Sequence, residues 1–183
     1  MLDNKSKIGV IGSGTMGQGI AQIAATFGHS VVLYDVNEAA LTNAKASLEK
    51  ILARLVEKDR ITEEKKTAII GNITFSQSLE ATKDCNLVIE AIVENLEIKK
   101  KVFQDLEKLT AEGTILASNT SSLSIASIAG ALENPENFIG IHFFNPAPLM
   151  PLVEIIPSFI TSAEVTKTSR DLIDGWKKIT VLA

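Results

Sequence analysis

The chain runs through Ile8-Gly9-Val10-Ile11 straight into Gly12-Ser13-Gly14-Thr15-Met16-Gly17, and this stretch restricts the possible fold more than any other. The apolar tetrad suits a strand buried on both faces. Ile20, Ala21, Ile23, Ala24 and Phe27 then recur at helical spacing. A turn between such a strand and such a helix gives each glycine its own task. Gly12 permits the tight turn, Gly14 lets the backbone approach a pyrophosphate, and Gly17 lets helix and strand pack closely. The free amides and positive dipole end of the helix start face the phosphates. A second apolar run, Val31 to Tyr34, ends in Asp35, about 20 residues further on, where a carboxylate takes the ribose hydroxyls. A lone glycine turn also arises for structural reasons; with a strand before it, a helix after it and an acidic strand end beyond, the reading is dinucleotide binding. Asp35 repels a 2′-phosphate, and Val36 and Asn37 supply no arginine to receive one, so the cofactor expected is NAD.

With 183 residues, 45% of them hydrophobic and 22% charged, the chain fits one globular domain with a sizeable core. A formal charge of −4 gives no electrostatic reason to expect nucleic acid. No apolar run reaches the length of a membrane span, and MLDNKSK lacks the apolar centre of a signal peptide, so no membrane partner and a cytoplasmic location are expected. Cys85 is the only cysteine; flanked by Asp84 and Asn86 at a strand start, it reads as incidental, and His29, after Gly28, is assigned no role.

Downstream, Leu41, Ala44, Leu48, Ile51, Leu52 and Leu55 form one apolar helical stripe. After a break near Asp59-Arg60, Thr62 caps a second short helix, so a helical hairpin is expected to be inserted after strand 2. Its other side carries Lys45, Lys50, Arg54, Lys58, Arg60, Lys65 and Lys66, either a solvated face or an anion-binding edge. Strands at 73–75, 87–89, 114–117 and 138–143 alternate with helices at 96–109 and 125–129, the pattern of a doubly wound α/β fold with a mostly parallel, Rossmann-type sheet. Between Phe144 and Leu152 lies a linker far too short for a parallel crossover, so the strand at 152–156 is expected to run antiparallel or to leave the sheet. A helix at 163–176 and a strand at 178–182 then return the chain beside it.

Three polar sets fall where strand ends should converge: Ser121 and Ser122, His142, and Glu154 inside the run Leu152 to Ile156. A glutamate there points out of the sheet or has a partner, because an unpaired buried charge is costly. Histidine suits it, since a carboxylate on one ring nitrogen fixes the tautomer while the other nitrogen takes a proton. Beside NAD, such a base serves alcohol dehydrogenation. A core histidine and an outward glutamate account for the spacing equally well.

Four segments, IGSGTMGQGIAQIAA, EAIVENLEIKKKVF, SNTSSLSI and IHFFNPAPLMPLVEII, in this order, closely resemble the 3-hydroxyacyl-CoA dehydrogenase family, including bacterial 3-hydroxybutyryl-CoA enzymes. The resemblance implies NAD-dependent oxidation of (S)-3-hydroxyacyl-CoA to 3-ketoacyl-CoA, or the reverse. It implies His142 as general base, Glu154 as its orienting partner and Ser121 as a hydrogen bond to the substrate's 3-oxygen. Cofactor contacts fall on Gly12, Gly14, Thr15, Met16, Gly17 and Asp35, with Glu94, Lys99, Asn119 and Asn145 towards the nicotinamide end. The family sets the CoA moiety against the long second helix, which makes Ser47, Lys50 and Arg54 candidates. Family members continue into an all-helical domain, after KD-x-PGF-x-x-NR, that forms most of a homodimer; residues 1–183 correspond to the NAD-binding domain alone. A catalytically inactive NAD-binding module is the alternative. A β-hydroxyacid dehydrogenase is disfavoured because that group shares only the glycine loop.

Overall fold

The computed structural model describes residues 2–3 and 5–183; Met1 and Asn4, part of the leader expectation, lie outside the described residues. The apolar tetrads become four-residue strands with every residue buried: β1 (Ile8–Ile11), β4 (Leu87–Glu90) and β5 (Ile115–Ser118). Burial on both faces is why these segments read as continuous apolar runs rather than alternating ones. β2 (Val31–Tyr34), β3 (Ile73–Ser76), β6 (Phe138–Phe143), β7 (Leu152–Pro157) and β8 (Ile179–Leu182) complete one sheet in the order β3-β2-β1-β4-β5-β6-β7-β8.

Alternate side chains of each strand enter two separate cores. Ile8, Val10, Leu87 and Ile89 face α1 (Thr15–Thr26), α2 (Glu38–Glu57) and α6 (Ala163–Gly175). Ile11, Val88 and Leu116 face α4 (Leu96–Leu109) and α5 (Ile125–Ala129). Helix starts follow their caps: Asn37 accepts from the amides of Ala39 and Ala40, Thr62 from Lys65, Asn95 from Ile98 and Ser162 from Val165. The expected hairpin is α2 with α3 (Glu63–Gly71). Its apolar stripe is narrower than its sequence suggests, because Ile51 is 40% exposed on a groove wall rather than packed in the core.

β1 to β6 run parallel, and β7 turns back antiparallel to β6, as the short linker requires; β8 pairs parallel with β7. The last strand begins one residue later than expected, at Ile179, after a backbone turn at Lys177 with φ +55°; the Lys178 side chain donates to the carbonyls of Ala147 and Met150, both at 2.8 Å. His29 is fully buried: Nδ1 meets the Ser6 carbonyl and Nε2 accepts from the Trp176 indole, each at 2.9 Å, tying the chain's first residues to its last helix. Among the described residues no helix is long and apolar enough to cross a membrane.

Candidate functional site

β1 and β4 lie side by side while the chain leaves them in opposite directions, so a crevice opens at their carboxyl ends. Gly12, at φ +99°, makes the turn there; a Cβ on it would come within 2.6 Å of the Ala91 carbonyl oxygen at the end of β4. A Cβ on Gly17 would sit inside the contact shell of the Gly12 carbonyl oxygen, which fixes how closely α1 returns over β1. Gly14 differs from both. Its φ is −65°, open to any residue, and a Cβ there would meet nothing within 4 Å. No packing among the described residues demands glycine at 14, and the space above it is open.

Asp35, at the end of β2, is held against this turn. Oδ2 accepts from both the amide and the hydroxyl of Ser13 at 2.8 Å, and Oδ1 from the Asn37 amide at 3.0 Å. Burial works to raise the Asp35 pKa, but these donors and the Val36 amide outweigh it and hold the carboxyl below its ordinary value. An ionised acceptor beside an open amide-lined turn fits the ribose and pyrophosphate of NAD.

Beyond the turn, a cavity of about 310 Å³ gathers most of the remaining candidates. Met16, Glu94, Lys99, Asn119, Ser121, His142 and Asn145 all line it. His142 and Glu154 are cross-strand partners in the β6–β7 pair, so their side chains share one face of the sheet. Nδ1 of His142 is 2.8 Å from Oε2 of Glu154; in a neutral imidazole, donation from Nδ1 to the carboxylate leaves the lone pair on Nε2. The Phe144 ring, 4.6 Å from the imidazole centre to centre, packs against it. Asn119 accepts from the Phe143 amide at 2.8 Å and so ties the end of β5 to the strand bearing His142.

The cavity also borders a charged network. Glu90 is fully buried and Lys99 is 1% exposed; they form an ion pair, and the same ammonium lies 3.2 Å from Glu94. Glu90 also accepts from the Ile92 amide and the Ser118 hydroxyl, both at 2.7 Å. Glu94 receives the Ser121 amide at 2.8 Å, the Thr120 hydroxyl at 2.9 Å and the Ser121 hydroxyl at 3.2 Å. Burial pushes Glu94 up, but the Ser121 amide, the Thr120 hydroxyl and Lys99 outweigh it and keep it below the usual carboxylate range.

Two candidate sets are divided by the structure. Thr15 lines a different hollow from Met16, a groove of about 750 Å³ between α1, α2 and Pro146–Leu149. Ser47 and Arg54 line that groove too, but Lys50 lies on another face of α2, beside Glu63 and Lys66, so the three do not form one cluster. Ser122 lies outside the cavity; its amide meets Thr120 at 3.4 Å. Reading the sequence passed over Glu90, Ser13 and Phe144. Glu90 had a signal: a carboxylate ending a fully apolar strand needs a partner, as Glu154 does.

Comparison with known proteins identifies the family and the fold. The family described as "3-hydroxyacyl-CoA dehydrogenase, NAD binding domain" matches residues 7–183. A 3-hydroxybutyryl-CoA dehydrogenase of Bradyrhizobium diazoefficiens is 45% identical over 91% of this chain and 57% of its own length. The human mitochondrial hydroxyacyl-coenzyme A dehydrogenase is 46% identical over 93% of this chain and 55% of its own. A crystal structure of an Escherichia coli K12 3-hydroxybutyryl-CoA dehydrogenase superposes with a TM-score of 0.96 at 41% identity, over 99% of this chain and 38% of that one. The chain thus spans little more than half the length of these curated relatives. Glycine turn, strand order and overall likeness agree: the chain belongs to the 3-hydroxyacyl-CoA dehydrogenase family, over its NAD-binding domain.

Proposed function

We propose that this chain carries the NAD-dependent oxidation of (S)-3-hydroxyacyl-CoA to 3-ketoacyl-CoA, or the reverse reduction, in the cytoplasm. The observation that supports it is the His142–Glu154 pair, one residue of which lines the same cavity as Met16, Glu94, Asn119 and Asn145. When bound, NAD accepts the hydride that leaves C3 of the substrate. Nε2 of His142 takes the hydroxyl proton as the C3–O bond becomes a carbonyl, and Glu154 stabilises the imidazolium that forms. The Ser121 hydroxyl donates to the 3-oxygen. To do so it turns away from Glu94, giving up a 3.2 Å bond that is the longest of the three from residues 120 and 121.

The 750 Å³ groove adjoins the cavity across Thr15–Met16 and Asn145–Pro146. Its wall combines apolar Ile51 and Leu55 with cationic Arg54 and Lys58, a lining suited to the adenine and phosphates of a CoA thioester. In a protein of the relatives' full length, residues 1–183 would form the coenzyme-binding part, and such a protein is expected to be a homodimer.

The test follows NADH at 340 nm with acetoacetyl-CoA in a protein of the relatives' full length. His142→Gln should lower turnover about 10³-fold, the span of a lost general base. NADH affinity should change less than about twofold, since the substitution touches only the chemical step. A wild type that binds NADH but never oxidises it makes the protein a coenzyme-binding module, and a His142→Gln variant with full turnover overturns the base.

A further inference from the structure

The cavity that His142 lines is also lined by Lys99 and Glu94, with Glu90 buried outside its lining, so two carboxylates share one ammonium there. Glu90 and Lys99 form a buried, compensated pair, and Ile92 and Ser118 complete the partners of Glu90. Burying such a pair is expensive unless its geometry is fixed, and here it is fixed on every side. Glu94 joins the same ammonium and leaves the trio with a formal charge of −1 at the cavity's edge. The other side chains lining the cavity are neutral, apart from the titratable imidazole of His142, whose own carboxylate partner stands behind it.

The nicotinamide ring is cationic when oxidised and neutral when reduced, so a fixed charge near it acts on one form only. We infer that Glu90, Lys99 and Glu94 set the charge at this cavity so that the oxidised coenzyme is favoured over the reduced one. Glu94 supplies the surplus charge, while Glu90 is a positioning residue that holds Lys99 and, through it, Glu94. This rests on the cavity being the nicotinamide end of the coenzyme site. Removing one negative charge from the trio by either route leaves it neutral and should weaken oxidised coenzyme selectively.

Binding of each coenzyme form, not turnover, tests this. Dissociation constants are measured for NADH by its fluorescence and for NAD⁺ by displacement of NADH, in wild type, Glu94→Gln, Glu94→Asp, Glu90→Gln and the remote control Glu112→Gln. In Glu94→Gln the ratio Kd(NAD⁺)/Kd(NADH) should rise about tenfold, the effect of a unit charge roughly 6 Å away in a half-solvated site. Glu90→Gln should shift the ratio the same way; if it fails to fold, Glu94→Gln still decides. Glu94→Asp, which keeps the charge, and Glu112→Gln should hold the ratio within about twofold of wild type. Equal weakening of both forms in Glu94→Gln, or an unchanged ratio, overturns the inference and leaves the proposed function standing. A wild type that binds neither form overturns both.

Discussion

Gly14 and Gly17 stand three residues apart in one turn, and the structure assigns them opposite sensitivities. Alanine at 17 drives a methyl group into the Gly12 carbonyl oxygen, a backbone atom that no rotamer change can move aside. Relief requires lifting α1 from β1, and overpacking of that kind costs about 3 kcal/mol or more. In a domain of this size that lowers the melting temperature by roughly 6 to 12 °C. Alanine at 14 enters open space with an ordinary φ of −65°. Its poorer helix capping and its smaller unfolded-state entropy offset each other to within about 1 kcal/mol. The new methyl group would instead stand where the pyrophosphate must approach, so NADH affinity should fall about tenfold or more while stability holds. Thermal unfolding followed by Trp176, the only tryptophan, and NADH titration read the two effects separately. A Gly14→Ala protein that melts as early as Gly17→Ala, or one that binds NADH like wild type, refutes the reasoning.

Burial of Cys85 pushes its thiol up to about 11, so a thiol reagent at pH 8 should leave it unmodified in the native protein and label it on unfolding. His29→Ala removes both hydrogen bonds of the buried imidazole and orphans the Trp176 N–H; urea unfolding should show a loss of about 2 kcal/mol or more. The folded pKa of Asp35 is depressed, so its contribution to stability is fully present above the unfolded carboxylate value and is lost as pH falls through the lower folded value. Asp35→Asn should flatten that acid limb in a pH series of melting temperatures, and should narrow the preference for NADH over NADPH.

The fold was legible because its signals are local. Buried strands read as apolar tetrads, Thr62 marked its helix start, and the short linker after Phe144 required a reversal of direction. The reversal also creates the dyad: once β7 folds back on β6, residues 142 and 154 fall opposite each other. Their pairing was left open by spacing, since the register of the two strands decides which side chains meet. What escaped notice depends on contacts distant in sequence. His29 looked like a turn residue until Trp176, 147 positions away, closed over it. Lys99, read as a coenzyme contact, does line the cavity, and its ammonium also pairs with the nearby Glu90 and Glu94. Lys50 is three residues from Ser47 and four from Arg54, a spacing that makes helix neighbours, yet it lies on the flank of α2 towards α3, beside Glu63 and Lys66, and helical spacing alone does not show that.

A crystal structure of the chain with NAD⁺ tests the central claim most directly. The account predicts the pyrophosphate over the amides of residues 12–17, the ribose hydroxyls on Asp35, and the reactive ring carbon facing Nε2 of His142. The gap between them should be roughly 6 to 7 Å, enough for one substrate carbon to touch both. A nicotinamide ring seated away from the cavity of Met16, Asn119 and Asn145, with the His142–Glu154 pair out of reach, would contradict it.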